Sequence, residues 1–348
     1  MQTHLDREQT INLGSFYTPR YIVEIAYKML QKRINLKDFL LFDSSCGYGD
    51  FFVDSDVYGY LGADIDSVAL QSVDKNIPTL FVNSLKDVSR KKFGIKENEK
   101  LIIIGNPPYN DKTSIIRNGI KQEMFAIDSA LKHRDIGISF LRSYALLEPD
   151  FVCVLHPLSY LIKKTNFTAL KAFKDKYRLI DSILISSENF SRAKTHFPII
   201  IALYERDCKG MDYEFIQSYS FKTSEGKKLR LKDFDFITKY VNKYPNPKDT
   251  RKEIAYFHTL RDINALKRNK TFLAKPSSNA IRIFSENLKY YYYIHHFKSF
   301  AHKLPYYFGN LDVFIDNESF LENFDSFMSL DSNKRIEEYF TELFEEYI

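Results

Sequence analysis

Short apolar runs separated by segments with helical spacing recur through the first 205 residues of the chain. Within residues 21–32, the side chains of Ile22, Ala26 and Met29 fall on one face of a helix. Residues 101–104 form a continuous Leu-Ile-Ile-Ile run, as expected of a strand buried on both faces. The predicted strands are 40–42, 60–64, 80–82, 101–104, 151–155, 179–185 and 199–203. Strands and helices that alternate at this spacing predict an α/β fold with a Rossmann-like, doubly wound sheet.

The pattern changes after about residue 205. Aromatic and basic residues interleave there, and the Tyr-Pro-Asn-Pro sequence of residues 244–247 interrupts any regular element. Near the C-terminus, Ile336, Phe340 and Phe344 fall on one helical face, which predicts an amphipathic helix over residues 336–348. We therefore predict a larger α/β domain and a smaller C-terminal domain, residues 1–205 and 206–348.

Charge is distributed unevenly along the C-terminal part of the chain. The net charge is only +5, yet residues 222–303 hold 19 Lys and Arg against 7 Asp and Glu. Residues 315–348 hold 2 basic and 10 acidic side chains. This division predicts a surface for a polyanion, followed by a segment that cannot face that polyanion. Two ordinary solvated faces are the alternative.

Several classes of protein are disfavoured by what the sequence contains. No apolar run approaches the roughly 20 residues that span a bilayer, and residues 1–8 lack the pattern of a signal peptide. The three cysteines are Cys46, Cys153 and Cys208, too widely spaced for a disulfide framework or a zinc site. We predict a cytoplasmic protein without a membrane segment or a structural metal.

Residues 105–109, Gly-Asn-Pro-Pro-Tyr, directly follow the Ile-rich strand. In open α/β sheets this position is the carboxyl edge, where ligands bind. The two prolines force an extended backbone and remove two N–H donors, which leaves a surface of carbonyl acceptors. Two acceptors on a planar amine, the Asn106 side chain and a backbone carbonyl, would favour a pyramidal nitrogen with a free lone pair. Tyr109 offers a face on which a base stacks. An ordinary Pro-Pro turn is the alternative.

A second segment, residues 43–51, reads Asp-Ser-Ser-Cys-Gly-Tyr-Gly-Asp-Phe after the first strand. Its two glycines allow the backbone to approach a ligand closely. The spacing matches neither the dinucleotide fingerprint nor the phosphate loop. Asp64 and Asn83 end the second and third strands, where an acid commonly binds ribose hydroxyls and an amide can pair with an adenine edge. Helix capping is the alternative for both.

Taken in order, these segments resemble the γ class of amino-methylating DNA methyltransferases. The resemblance covers residues 14–205 and depends on the order of six motifs rather than on any single one. The matching segments are residues 14–19 (motif X), 43–51 (I), Asp64 (II), Asn83 (III), 106–109 (IV) and 188–195 (VIII). Residues 156–161, His-Pro-Leu-Ser-Tyr-Leu, are similar to a later strand-end motif that usually reads Pro-x-x-x-Leu. Motif X lies upstream of the sheet, as in the γ class.

The resemblance implies S-adenosylmethionine as cofactor and the N6 amino group of a flipped-out adenine in double-stranded DNA as acceptor. The methionine end would lie against Thr18, the ribose against Asp64 and the cofactor's adenine against Asn83. The implied cofactor residues are Tyr17, Thr18, Pro19, Asp43, Cys46, Gly47, Gly49, Asp64, Ile65, Asn83, Ser84 and Asn106. The implied catalytic residues are Asn106, Pro107, Pro108, Tyr109 and Phe190, with Tyr109 and Phe190 flanking the base.

The chain departs from the family pattern at two positions. Ser44 stands where motif I usually has Pro, and Asn83 stands where motif III usually has Asp. We expect a slightly looser turn from the first and weaker cofactor binding from the second. Phe197 is close enough to Phe190 to compete for the stacking role, and core packing is the alternative for both rings.

The basic region after residue 205 is where the γ class keeps target recognition, which implies phosphate contacts there. The candidate DNA-binding residues are Lys227, Lys228, Arg230, Arg251, Lys252, Arg261, Lys267, Arg268 and Lys270. Tyr290–Tyr293 is either a stacking platform or a strand packed on both faces. The acidic amphipathic end predicts docking on a partner subunit or a second copy, and a cognate restriction endonuclease is a further expected partner.

Three other functions fit part of the sequence. N5-glutamine protein methyltransferases also use Asn-Pro-Pro-Tyr, because a carboxamide nitrogen is another delocalised amine, and RNA-guanine methylation is related. The protein methyltransferases carry a helical domain before the sheet and nothing basic after it, whereas this chain shows the reverse. A non-catalytic DNA-specificity subunit is the third alternative. The site-specific adenine DNA methyltransferase of a restriction–modification system is the leading prediction.

Overall fold

The computed structural model describes residues 17–109, 126–190 and 196–347. The chain divides into two compact units, Met1–Thr195 with Ile199–Leu229, and His196–Pro198 with Arg230–Ile348. The expected boundary at residue 205 therefore lies inside the first unit. The first unit continues to Leu229 because the segment after residue 205 supplies the last two strands of its sheet.

Within the described ranges the first unit is built on one nine-stranded sheet, in the order β3-β2-β1-β4-β5-β7-β6-β8-β9. The strands are β1 (Leu40–Asp43), β2 (Gly59–Asp64), β3 (Thr79–Phe81), β4 (Leu101–Gly105), β5 (Phe151–Pro157), β6 (Tyr177–Ser186), β7 (Pro198–Arg206), β8 (Phe221–Thr223) and β9 (Lys228–Leu229). Strands β1 to β5 are paired in parallel, and β7 runs antiparallel to β5. The carboxyl ends of β1, β2 and β4 therefore meet at one edge of the sheet.

Among the described residues of the first unit, one α-helix precedes β1 and six lie between later strands. They are α1 (Arg20–Gln31), α2 (Ser67–Leu70), α3 (Ile136–Leu147), α4 (Ser159–Ile162), α5 (Lys164–Ala169), α6 (Ala172–Lys176) and α7 (Tyr213–Ser218). All five residues of β4 are buried, which requires cover on both faces of the sheet. The predicted α/β fold with a Rossmann-like, doubly wound sheet is confirmed.

Helix α1 fixes the segment that precedes the sheet. Pro19 stands at its N-cap, where a residue without an N–H donor costs nothing. Its apolar face, including Ile22, Ala26 and Leu30, is fully buried. The Cys153 thiol of β5 contacts the Ala26 carbonyl at 3.8 Å, so the helix lies against the central strands. This packing brings the residues just before α1 to the sheet.

The second unit contains a small antiparallel sheet and four helices within its described residues. Its elements are β10 (Ala255–His258), α8 (Ile263–Arg268), β11 (Phe272–Leu273), β12 (Ala280–Ile283), α9 (Leu288–Phe300), α10 (Asn317–Phe327) and α11 (Lys334–Phe344). The strand order is β11-β10-β12. The four tyrosines Tyr290–Tyr293 lie within α9, so the prediction of a strand there is wrong. Tyr290, Tyr293 and Phe297 are buried together, because their spacing puts them on one helical face.

Aromatic side chains form the core of the second unit. The Phe297 ring contacts those of Phe314, Phe340 and Phe344 at centroid distances of 5.4, 5.8 and 5.4 Å. Phe340 and Phe344 belong to α11, so the apolar face of the predicted terminal helix is buried within its own unit. The expectation that this end of the chain docks on a partner is therefore corrected for its apolar face, and docking through the exposed side of α11, which carries Lys334, Arg335 and acidic residues, stays a prediction. None of the described helices combines the length and apolarity that crossing a bilayer requires.

Candidate active site at the carboxyl edge of the sheet

The ends of β1 and β4 approach each other closely at the sheet edge. Asp43 ends β1 and Gly105 ends β4, and the two strands are direct neighbours. A Cβ atom on Gly105 would lie 2.7 Å from the Asp43 carboxylate, and Gly105 has a φ of +149°. A side chain at this position would therefore meet both a clash and a strained backbone. Glycine lets the Asn-Pro-Pro-Tyr segment begin directly beside a buried carboxyl group.

The predicted glycine turn between β1 and β2 is tied to the end of β2. Gly47 and Gly49 have positive φ values of +51° and +79°. The Gly47 N–H donates to the Asp64 carboxylate at 2.8 Å, and the Cys46 N–H donates to the Ala63 carbonyl at 3.0 Å. The turn and Asp64 thus form one structural unit at the edge of the sheet.

Three carboxyl groups gather around this turn. Asp43 is 3% exposed, and burial raises its pKa to about 8, with Asp64 and Asp50 adding to the rise. Burial also raises the pKa values of Asp64 and Asp50. Among the described residues, none of the three forms an ion pair with a Lys or Arg side chain. Partly buried carboxyl groups that have no Lys or Arg partner among the described residues form an environment that stabilises a bound cation.

Asp64 already has a structural role in this arrangement. One of its oxygens accepts from Gly47, and the other accepts from the Asp66 N–H at 2.9 Å. Asp66 in turn caps α2 through two hydrogen bonds, so the capping role weighed for Asp64 belongs to its neighbour. The expected contact between Asp64 and ribose hydroxyls stays a prediction, since each carboxylate oxygen retains a second lone pair.

Thr18 joins the segment before the sheet to the Asn-Pro-Pro-Tyr segment. Its N–H donates to the Asp50 carboxylate at 2.8 Å. Its hydroxyl accepts from the side-chain nitrogen of Asn106 at 3.2 Å, and Thr18 is only 2% exposed. Residues 88 positions apart are thereby held in contact at the end of β4.

The side-chain oxygen of Asn106 is a buried acceptor that finds no hydrogen-bond donor among the described residues. Its amide nitrogen, by contrast, is bonded to Thr18. A buried acceptor without a donor costs roughly 1–3 kcal/mol. Asn106 Oδ1 therefore has unused hydrogen-bonding capacity, as do the buried hydroxyls of Ser45 and Ser84 among the described residues.

Tyr109 ends the segment and lies beside Asn106. Burial raises the pKa of its hydroxyl, while a hydrogen bond with the Asn106 side chain opposes that rise. Pro107 is buried, and Pro108 and Tyr109 are partly exposed. The structure thus brings together Thr18, Asp43, the glycine turn, Asn106 and Tyr109, and the roles expected of these residues stay predictions.

Phe190 lies in the connection between β6 and β7. Pro157 at the end of β5 pairs with Ile199 at the start of β7, so this connection lies at the same edge of the sheet as Asn106. The Tyr21 hydroxyl donates to the Asn189 side chain, which links the connection to α1. Phe190 itself is only 3% exposed. Its predicted stacking role stays a prediction, as does that of Phe197.

Asn83 and Ser84 follow β3. The Asn83 side chain donates to the Ala126 carbonyl at 2.7 Å and accepts from the Leu85 N–H at 2.9 Å. Asn83 therefore organises a turn, whatever its further role toward a cofactor. The Ser84 hydroxyl is buried and finds no partner within the described ranges, and Ile65 and Tyr17 are at least partly exposed. Residues 14–16 of motif X and 191–195 of motif VIII lie outside the described residues.

The candidate DNA-binding residues are divided between the two units. Lys227 and Lys228 belong to the β8–β9 hairpin of the first unit, and the other seven belong to the second. Arg230 pairs with Asp233 at 2.7 Å. Arg251 pairs with Asp249 and Glu286. Burial lowers the pKa of Lys267. The exposed candidates of the second unit without an ion pair among the described residues are Lys252, Arg261, Arg268 and Lys270.

Three features of the site were not predicted from the sequence. Asp50 accepts a hydrogen bond from the Thr18 N–H, a role that the sequence did not indicate even though Asp50 directly follows Gly49 of the glycine turn. Ser44 hydrogen-bonds the Tyr144 hydroxyl at 3.3 Å, which ties the turn to α3. Asp135 and Tyr160 meet beneath Tyr109. An Asp just before an apolar helical segment is the usual signal of an N-cap, and that signal identifies Asp135. In the described part of the chain, no three or more His, Cys, Asp or Glu side chains are arranged so that they could hold a metal ion.

Solved structures with a similar fold include three methyltransferases or methyltransferase subunits. A modification subunit of a putative type I restriction enzyme from Vibrio vulnificus is 15% identical, with 68% of this chain and 56% of that chain covered and a TM-score of 0.41. A type I restriction–modification methyltransferase subunit from Streptococcus thermophilus is 14% identical, with 88% and 57% covered and a TM-score of 0.40. A putative RNA methyltransferase from Pyrococcus horikoshii is 12% identical, with 56% and 88% covered and a TM-score of 0.38. The chain thus spans little more than half the length of the two type I subunits. No protein-family model and no curated protein matches the sequence.

Proposed function

We propose that this chain is an S-adenosylmethionine-dependent methyltransferase that methylates the N6 amino group of adenine in double-stranded DNA. The observation that carries the proposal is the buried Asn106 Oδ1, which has no donor among the described residues and directly follows a central strand. An acceptor left in this state fits a substrate that brings its own N–H groups.

The target amine would be held by two acceptors. Asn106 Oδ1 accepts one amine hydrogen, and the Pro107 carbonyl accepts the other. Both bonds become stronger as positive charge develops on the nitrogen, so they stabilise the transition state more than the ground state. The Thr18 hydroxyl binds the amide nitrogen of Asn106 and so keeps its oxygen toward the amine. Tyr109 and Phe190 would flank the flipped base.

The acidic cluster fits the cofactor. S-adenosylmethionine carries a sulfonium and an ammonium group, and the carboxyl groups of Asp43, Asp50 and Asp64 lie beside the glycine turn, where a bound cation favours their ionised forms. When bound, the cofactor supplies an electrophilic methyl group. The positive φ of Gly47 and Gly49 shapes the backbone that would lie against it. A bound cation would favour the ionised form of Asp43, so cofactor binding is expected to release a proton near neutral pH.

The choice of DNA as substrate comes from the rest of the chain. Exposed basic side chains in the second unit, among them Lys252, Arg261 and Arg268, suit phosphate contacts. A restriction–modification context and a partner subunit belong to the same proposal, and the similar type I subunits are consistent with both.

The test is transfer of a tritiated methyl group from S-adenosylmethionine to DNA, RNA and protein acceptors. We expect counts in DNA, with N6-methyladenine as the product after nucleoside digestion. Asn106→Ala should reduce kcat by about a hundredfold or more, by analogy with the loss of one stabilising donor in an oxyanion hole. The matched control is Asn310→Ala, because Asn310 also has a buried, unpartnered Oδ1 among the described residues but lies in the second unit.

The outcomes separate the alternatives. Counts in protein or RNA but not in DNA would reject the proposed substrate while keeping the chemistry. Full activity of Asn106→Ala would reject the mechanism. An inactive chain that still binds DNA specifically would support a specificity subunit instead.

A further inference from the structure

The first turn of α3 lies directly against Tyr109. A Cβ atom on Gly137 would lie 3.0 Å from the Tyr109 Cβ and 2.5 Å from the Tyr160 hydroxyl oxygen. Only glycine fits at such distances, so Tyr109, Gly137 and Tyr160 are in contact at one point. The position of Tyr109 is therefore set by the helix beneath it.

Asp135 holds that first turn in place. Its Oδ1 atom accepts from the Gly137 N–H at 3.1 Å, which caps α3. The same oxygen accepts from the Tyr160 hydroxyl. One carboxylate oxygen thus joins the start of α3 to Tyr160, which follows β5.

Tyr160 is itself fixed to the sheet. It is 1% exposed, and its ring stacks on His156 with centroids 5.4 Å apart and planes within 9°. The Nε2 atom of His156 hydrogen-bonds the Tyr204 hydroxyl of β7 at 2.7 Å. Burial lowers the pKa of His156 to about 4, so its imidazole is neutral at pH 7. A continuous buried connection therefore runs from β5 and β7 to Tyr109.

We propose that Tyr160 and Asp135 are positioning residues that hold Tyr109 where it stacks on the target base. The inference rests on the proposed function, because it requires that a base enters beside Tyr109. Tyr160 is too deeply buried to contact the substrate, so it acts through Gly137 and Tyr109. Small displacements of reacting groups reduce turnover strongly, which explains why an enzyme would anchor this ring in its core.

The experiment compares Tyr160→Phe with Tyr177→Phe. Both changes remove one buried hydroxyl, and that of Tyr177 donates to the Pro149 carbonyl at 2.9 Å. Tyr160→Phe should lower kcat about tenfold, while the Kd for S-adenosylmethionine and the KM for DNA change less than about twofold. Tyr177→Phe should keep wild-type kcat at a similar loss of thermal stability.

A pair of variants at Asp135 provides the rescue test. Asp135→Ala should lower kcat as Tyr160→Phe does. Asp135→Asn should retain it within about threefold, because the amide oxygen still accepts from Gly137 and Tyr160. Wild-type kcat in Tyr160→Phe, or equal losses in Tyr160→Phe and Tyr177→Phe, would overturn the inference. A wild-type chain that transfers no methyl group to DNA would instead overturn the proposed function, and this inference with it.

Discussion

The two units place their polar groups differently. At the edge of its sheet the first unit holds one buried carboxyl group, that of Asp43, and two partly exposed ones, those of Asp50 and Asp64, and burial raises the pKa values of all three. The core of the second unit is rich in aromatic rings, and many of the unit's exposed charges are paired with one another. Buried polar groups without partners destabilise a fold, whereas buried rings stabilise it. The difference shows that the two units gain stability differently, because the first keeps carboxyl groups in an environment that disfavours their charge and the second packs around rings.

The largest effect is expected in the aromatic core of the second unit. Phe297→Ala removes a fully buried ring that contacts four other rings, including Phe314 and Phe340. Truncation of a buried Phe costs about 3–5 kcal/mol, which denaturant unfolding would measure. Phe324→Ala is the control, because Phe324 is 38% exposed. Equal losses in the two variants would contradict the contrast between the units.

An effect of opposite sign, spread over several pH units, is expected at Asp43. Its folded pKa of about 8 exceeds the value in an unfolded chain, so the folded state binds the proton more tightly. The contribution of Asp43 to the free energy of unfolding is therefore greatest below about pH 4. This contribution decreases as the pH rises toward 8, by at most about 1.4 kcal/mol per pH unit. Asp43→Asn removes the titrating group and should flatten this dependence.

Unfolding of wild type and Asp43→Asn between pH 5 and pH 8.5 would measure the effect. The variant should gain stability relative to wild type as the pH increases. If the difference in free energy of unfolding between the two proteins stays constant with pH, Asp43 is ionised in the folded state. The carboxyl groups at the sheet edge would then titrate as exposed carboxyl groups do.

The smallest effect concerns neighbouring basic residues of the second unit. Arg251 is already paired with Asp249 and Glu286, whereas Lys252 is exposed and has no ion pair among the described residues. Lys252→Ala should weaken DNA binding and lower the slope of log K against log salt by about 1. Arg251→Ala should change the slope less. Binding isotherms at several salt concentrations measure both slopes. A larger change in slope for Arg251→Ala than for Lys252→Ala would show that the ion pairs of Arg251 with Asp249 and Glu286 break when DNA binds.

The sequence was informative where local rules decide the structure. The Ile-rich strand, the glycine turn and the Asn-Pro-Pro-Tyr segment were predicted because burial on both faces, positive φ and proline each leave a short-range signal. Strands β8 and β9 are three and two residues long, too short to show a period, so the first domain was predicted to end too early.

Two other features depend on tertiary contacts. Tyr290–Tyr293 has the composition of a strand, yet it is helical because the rings of α10 and α11 cover one face of α9. The hydrogen bond between Thr18 and Asn106 joins residues far apart in sequence, so only the resemblance to a known motif order placed them together. The proposed anchoring of Tyr109 depends on the hydrogen bond between Asp135 and Tyr160, which are 25 positions apart and form no sequence motif together.

The position of α11 in the second unit also has a consequence for synthesis of the chain. The sheet of the first unit is complete once Leu229 has been added, so this unit can fold while translation continues. The second unit cannot close around Phe297 until Phe340 and Phe344 have left the ribosome. A message truncated before Lys334 would therefore yield a folded sheet attached to an open aromatic surface, which is the kind of product that chaperones and proteases recognise.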